Sequence, residues 1–220
     1  QLPRARDRAD AAVSAAATRT PIFAGPPPAA LAIAIGLFGG SFDPPHAGHR
    51  LVSDTALRRL GLDRVWWIVT PGNPLKSVAG RPSQAQRMQA AARFIDDPRV
   101  AVTGFEALIG TRYTLDTIRW LTARRRGVRF VWLMGADNLR QLPRWKGWRE
   151  ISRALPMAVI DRPGASLAGP MGQAGRTLAR WRVPESKARA LAWTTPPAWV
   201  LLHGPRSRLS STELRRRAAP

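Results

Sequence analysis

Short, unbroken apolar runs separated by helix-forming stretches constrain this chain more than any other feature. The runs are Leu31–Leu37, Val65–Thr70, Val100–Phe105, Val128–Met134, Met157–Ile160 and Trp199–Leu202. Between or after them lie helical stretches: Gly48–Leu60, Gln84–Ile95, Leu115–Arg126, Trp148–Leu155 and Thr212–Arg217. The second has a start signal, Ser83 and Gln86 at capping-box spacing after Pro82. A strand that is apolar along its whole length needs cover on both faces, and intervening helices supply the crossovers that parallel strands require. The expectation is an α/β fold: a doubly wound, mainly parallel sheet with helices on both faces. Ligands of such sheets sit beyond the carboxyl ends of the strands. The polar clusters of this chain fall there, after residues 37, 70, 134 and 202. The Gly-, Pro- and Ala-rich stretch from Gly164 to about Pro197 is expected to be a variable excursion with one short helix.

The first apolar run leads into Gly36-Leu37-Phe38-Gly39-Gly40-Ser41-Phe42-Asp43-Pro44-Pro45-His46-Ala47-Gly48-His49. This reads as strand, glycine turn and helix start. Glycines let backbone approach a phosphate closely, and a helix start offers unpaired N–H groups at the positive end of its dipole. The chain has three histidines, and two of them, His46 and His49, fall in this window. Imidazoles at such a place can donate to phosphoryl oxygens. The alternatives are simple polarity and capping, or a metal pair, for which no third ligand stands at usable local spacing. The run lacks the Gly-Lys-Ser/Thr ending of a P-loop.

Composition narrows the remaining classes. An apolar fraction of 45% suffices for a core, and the absence of cysteine removes disulfides, thiolate metal sites and a cysteine nucleophile. No apolar run approaches the roughly 20 residues of a membrane span, so no membrane association is expected and the expected compartment is the cytoplasm. The formal charge of +21 is nearly all arginine, lysine occurring only at 76, 146 and 187. Most of this charge is expected on solvated surface, attracting anionic substrates rather than a specific nucleic acid. Residues 1–29, rich in Ala, Arg and Pro, are expected to be a disordered extension, and 30–220 a single domain.

With these motifs in place, the chain resembles the nucleotidylyltransferase superfamily, whose signature (His/Thr)-x-Gly-His follows the first strand. Within it the sequence is similar to the bacterial nicotinate-nucleotide adenylyltransferases, from about residue 35 to 217. A second motif, Leu209-Ser210-Ser211-Thr212-Glu213-Leu214-Arg215, is close to that family's Ile-Ser-Ser-Thr-x-Ile-Arg. The others are Met134-Gly135-Ala136-Asp137-Asn138, Leu142-Pro143-Arg144-Trp145-Lys146, Tyr113-Thr114-Leu115-Asp116-Thr117 and Pro71-Gly72-Asn73-Pro74-Leu75-Lys76. Many family members have His just before that lysine, where this chain has Leu75. Taken alone, Ser210 with Glu213 is a capping box, Asp137 or Thr114 a helix cap, and Trp145 a core or stacking residue.

The resemblance implies a Rossmann-like fold and adenylyl transfer from ATP to nicotinate mononucleotide, giving deamido-NAD and pyrophosphate. It implies an ATP site of Gly39, Gly40, Ser41, Phe42, His46, His49, Gly135, Asp137, Ser210, Ser211, Thr212 and Arg215. Of these, His46 and His49 bind the phosphates, His49 nearest the α-phosphate, while Ser211, Thr212 and Arg215 hold the leaving pyrophosphate. Asp137 would take ribose hydroxyls. The acceptor would meet Lys76, Thr114, Asp116, Asn138, Trp145 and Arg162, with Trp145 stacked on the pyridine ring. Mg²⁺ would accompany ATP, bound mostly through phosphate and water rather than by a protein metal site. Two alternatives stand beside this reading. One is a sister enzyme with another acceptor, such as nicotinamide mononucleotide or phosphopantetheine. The other is a basic nucleic-acid binder, which leaves the motifs at successive strand ends unexplained.

Overall fold

A computed structural model describes residues 20–72, 82–161 and 170–203. Among the described residues the first element is a two-residue strand, β1 (Ile22–Phe23), then β2 (Ala34–Gly40), α1 (Ala47–Arg59) and β3 (Arg64–Val69). Helix α2 (Gln84–Phe94), β4 (Val100–Thr103), α3 (Phe105–Leu108) and α4 (Thr114–Arg124) follow. Next come β5 (Arg129–Gly135), α5 (Ala136–Gln141), α6 (Trp148–Ala154), β6 (Met157–Ile160), α7 (Gln173–Thr177) and β7 (Trp199–Leu202). Among the described residues the strands form one seven-stranded sheet, ordered β1-β4-β3-β2-β5-β6-β7, and every pairing is parallel.

That order fixes where a ligand crevice opens. From β2 the chain steps outward to β3 and β4, then returns past β2 to continue through β5, β6 and β7. The two halves part at the carboxyl ends of β2 and β5, the topological switch point of a doubly wound sheet. The last paired rung is Leu37 with Trp132. Beyond it β2 runs on to Gly40 and β5 to Gly135, so the glycine turn and the Gly-Ala-Asp turn flank one cleft.

The core has two layers, one on each face of the sheet. Successive residues of β3 show the division: Trp66 packs into the layer with Leu37, Phe105, Ile118 and Leu121, while Trp67 packs into the layer with Phe38, Val52, Ala56 and Val69. Both tryptophans have no exposed surface, and burial of a side chain this large contributes on the order of 1.5–3 kcal/mol or more. Unbroken apolar strands are thus explained by cover on both faces.

The structure corrects the boundary drawn at residue 29. Ile22 pairs with Val102 and Phe23 with Thr103, adding β1 to the sheet edge. Thr20 Oγ1 donates to Ile95 O at 2.7 Å and Thr103 Oγ1 to Gly25 O at 2.7 Å. A two-residue edge strand carries too short an apolar run to stand out against the Pro- and Ala-rich background. Residues 1–19 lie outside the described set. The excursion after residue 170 holds more helix than expected, adding 3-10 turns at Ala179–Trp181 and Glu185–Trp193 to α7.

Candidate active site

The two histidines build the start of α1 between them. His46 is the N-cap, and its Nδ1 accepts the Gly48 N–H at 3.0 Å; His49, three residues on, accepts the His46 N–H on its own Nδ1 at 3.1 Å. This is a capping box made with imidazoles. Both side chains are buried, 3% and 8% exposed, with ring centroids 3.8 Å apart. A nitrogen that accepts a backbone N–H carries no proton, so each neutral ring bears its hydrogen on Nε2. The backbone therefore sets both histidines as Nε2–H donors.

The surroundings hold that pair in place. Trp67 Nε1 donates to Ser53 Oγ at 2.7 Å, and Ser53 Oγ donates to His49 O at 3.3 Å, tying α1 to β3. The Phe42 ring is stacked on Trp67 with centroids 4.6 Å apart, and lies 4.8 Å from the His49 ring. Phe42 has φ of +48°, a region costly for a side chain of this size. Its 1% exposed ring anchors the turn in that conformation. Gly39 leaves room for a close approach, since a Cβ there would stand 2.9 Å from the Trp132 ring.

Across the cleft, Gly135 is the N-cap of α5 and makes no side-chain cap. Asp137, in the first turn, does not cap the helix either. Its Oδ1 is buried with no hydrogen-bond partner among the described residues. A buried carboxylate oxygen without a donor is costly, and a ligand hydroxyl is the donor type such an oxygen accepts. Asp161, just beyond β6, also has a buried Oδ1 without such a partner. Asn138 is half-buried beside Asp137.

A second cluster forms around the start of α4. Its N-cap is Tyr113, so Thr114 is the first helical residue rather than the cap. Asp116 accepts from Thr111 Oγ1 at 3.3 Å, and Lys146 Nζ stands 4.0 Å from Asp116 Oδ2 and 4.5 Å from the Tyr113 ring. This lysine joins the α4 start to the loop bearing Trp145. Trp145 is half-buried, packed edge-on against Trp132 at 6.3 Å. Trp132 in turn lies under Gly39, so the two clusters share a wall.

Sequence reasoning missed three residues here. Lys146 had only its rarity to signal it, and Arg87 is an ordinary-looking helix arginine. Glu106 is 5% exposed and accepts from Thr117 Oγ1 at 2.6 Å, and burial pushes its carboxyl above the ordinary carboxylate range. A lone acid in Phe105-Glu106-Ala107-Leu108-Ile109 was the available signal. Lys76, Arg162, Ser210, Ser211, Thr212 and Arg215 lie outside the described residues, as does the expected helix Thr212–Arg217. No described helix is long and apolar enough to cross a membrane.

Comparison with known proteins places this geometry in context. Residues 37–217 match the model of a family described as cytidylyltransferase-like. A protein of Methylorubrum extorquens, named "Probable nicotinate-nucleotide adenylyltransferase", is 56% identical over 183 residues, 83% of this chain and 99% of its own. A protein of Agrobacterium fabrum with the same name is 52% identical, over 82% of this chain and 97% of its own. The Plasmodium falciparum nicotinic acid mononucleotide adenylyltransferase complexed with NaAD shares the fold. It superposes with a TM-score of 0.61 at 16% identity, over 84% of this chain and 83% of that one.

Proposed function

The chain belongs to the cytidylyltransferase-like family, among the nicotinate-nucleotide adenylyltransferases, and on that premise we propose that it joins ATP to nicotinate mononucleotide. The products are deamido-NAD and pyrophosphate. The observation that carries the reading is the reciprocal capping of His46 and His49, which puts the hydrogen of each ring on Nε2 behind a glycine turn at the switch point.

The mononucleotide phosphate is already an anionic nucleophile at neutral pH, so no base needs to act on it. One of its oxygens forms a bond to the α-phosphorus of ATP as the bond from that phosphorus to the β-bridging oxygen breaks. Both electrons of that bond leave with pyrophosphate. The protein's part is alignment and stabilisation of charge as it moves outward from the α-phosphate. His49 would donate to the α-phosphate and His46 to the neighbouring phosphates, both without giving up a proton. Asp137 would accept a ribose hydroxyl on its orphan oxygen. Ser210, Ser211, Thr212 and Arg215, by resemblance, would hold the leaving group.

The glycine turn offers imidazole and backbone N–H to phosphate oxygens, and Asp43 is its one carboxylate, too few oxygen ligands for a hard cation without the nucleotide. Mg²⁺ would therefore arrive on ATP, where it neutralises phosphate charge. The acceptor's pyridine would lie at the second cluster, over Trp145 and beside the start of α4, where Lys146 and backbone N–H groups suit a ring carboxylate.

The route of the phosphorus atoms tests this reading. ATP labelled at the α-phosphate should pass its label to the dinucleotide, and ATP labelled at the γ-phosphate should pass it to pyrophosphate. Label from the γ-position in the acceptor product would contradict adenylyl transfer.

A further inference from the structure

Arg87 lies on the first turns of α2, a helix otherwise lightly buried, yet it is only 7% exposed. Its guanidinium reaches backbone carbonyls on three separate segments. Nη1 donates to Ser41 O at 2.7 Å, Nη2 to Thr70 O at 2.8 Å and Pro71 O at 3.4 Å, and Nε to Pro82 O at 3.2 Å. Gln84, on the same helix turn, donates its amide to Val69 O at 2.6 Å and Gly104 O at 3.3 Å. The start of α2 is thus fastened by two side chains to the carboxyl ends of β3 and β4 and to the glycine turn after β2.

The bond to Ser41 O has a specific consequence. Thr70 N–H donates to Gly40 O at 3.0 Å, so two successive carbonyls of the turn, Gly40 and Ser41, are held toward β3. A planar trans peptide directs its N–H opposite to its C=O. The Ser41 and Phe42 N–H groups are therefore both turned away from β3, toward the side of the cleft where β5 ends. Consecutive N–H groups aimed one way make an anion-binding concavity. Thr70 fixes the first peptide with its backbone, and the second depends on a side chain. The positive φ of Phe42, next in the chain, makes that second peptide the one with a competing relaxed conformation.

We propose that Arg87 is a positioning residue for ATP: it fixes the Ser41–Phe42 peptide so that the turn receives phosphate, without itself touching the substrate. The proposal rests on the adenylyltransferase reading for the identity of the anion. The planar fork spreads its donors over three nitrogens and so reaches four carbonyls on three segments, whereas lysine replaces the charge at a single nitrogen but not that geometry.

The test is titration of the folded protein with MgATP in the absence of any acceptor, for the parent, Arg87→Met and Arg87→Lys. Steady-state constants for both substrates accompany it. Arg87→Met should weaken ATP binding by roughly tenfold to a hundredfold, with the acceptor KM within about twofold of the parent. Arg87→Lys should recover only part of the loss. A residue that merely holds α2 in place would lower the melting temperature and leave ATP affinity of the folded protein unchanged. ATP affinity within about twofold of the parent in folded Arg87→Met overturns the proposal, as does an equal rise in both substrate constants. If Arg87→Met does not fold, Arg87→Lys is judged by the same split between ATP and acceptor. A parent that binds MgATP but uses no pyridine acceptor contradicts the functional reading alone, and the titration still decides the role of Arg87. A parent that binds no ATP overturns both.

Discussion

His49 accepts the backbone N–H of His46 at 3.1 Å, so the second histidine of the motif caps the helix that the first one starts. One side chain thus has a structural bond on Nδ1 and a donor on Nε2. The two roles can be separated by substitution. Glutamine is the usual third-position partner of a capping box, and His49→Gln should keep the cap while displacing the Nε2–H. Its melting temperature should stay within about 2 °C of the parent while kcat falls by roughly 10²–10³. His49→Ala should lose the same catalysis and about 1 kcal/mol of stability, read as a drop of about 2–4 °C for a chain of this size. Parent-like turnover in folded His49→Gln would remove the phosphate role.

Asp137 should show the opposite sign on stability. Its Oδ1 is buried without a partner among the described residues, a cost that the unliganded protein bears alone. Asp137→Ala should leave thermal stability equal or slightly higher while raising the KM for ATP by about tenfold, the scale of one lost charge-assisted hydrogen bond. Thermal melts with and without ATP check both halves.

Trp145 should affect the other substrate. It sits edge-on to Trp132, near the Lys146–Asp116 contact. Trp145→Ala should raise the KM for the mononucleotide by roughly fivefold to thirtyfold, the equivalent of about 1–2 kcal/mol of lost stacking. The KM for ATP should change by less than about threefold. Initial-rate measurements with each substrate varied in turn distinguish this from a general disturbance.

Glu106 should make stability depend on pH in a definite direction. Burial raises its folded pKa above the ordinary 4.5, against the lowering effect of its bonds to Thr117 and Thr70. Between the unfolded and folded values the native state holds more protons than the unfolded one, so stability falls as pH rises. It is intact below about 4.5, is lost through the folded pKa and is level above it. Glu106→Gln keeps an acceptor for Thr117 and should remove that part of the decline. Chemical denaturation of both proteins from pH 4 to 8 measures the difference, and an unchanged slope would contradict the assignment.

Much of the fold was legible because the sheet is buried on both faces. Strands such as Met157–Ile160 and Trp199–Leu202 are unbroken apolar runs whose limits coincide with the observed ones. β1 was not legible, because two residues on an edge are fixed by pairing with β4 rather than by their own pattern. Helix α5 was also missed as an element, although its residues were recognised as a turn. Within the site, the glycine turn, the histidines and Asp137 could be placed because strand ends of a doubly wound sheet converge. The imidazole capping box could not be separated from plain polarity until the Nδ1 contacts were seen. Arg87 was invisible for a different reason: its partners are backbone carbonyls of residues 41, 70, 71 and 82. Backbone partners leave no trace in side-chain spacing.

The most direct measurement is pyrophosphate release with ATP and Mg²⁺, with nicotinate mononucleotide and nicotinamide mononucleotide supplied in parallel. Rapid release that strongly prefers the acid is the expected result. Preference for the amide would contradict the acceptor pocket built on Thr114, Trp145 and Lys146, and release with neither would contradict the proposed reaction itself.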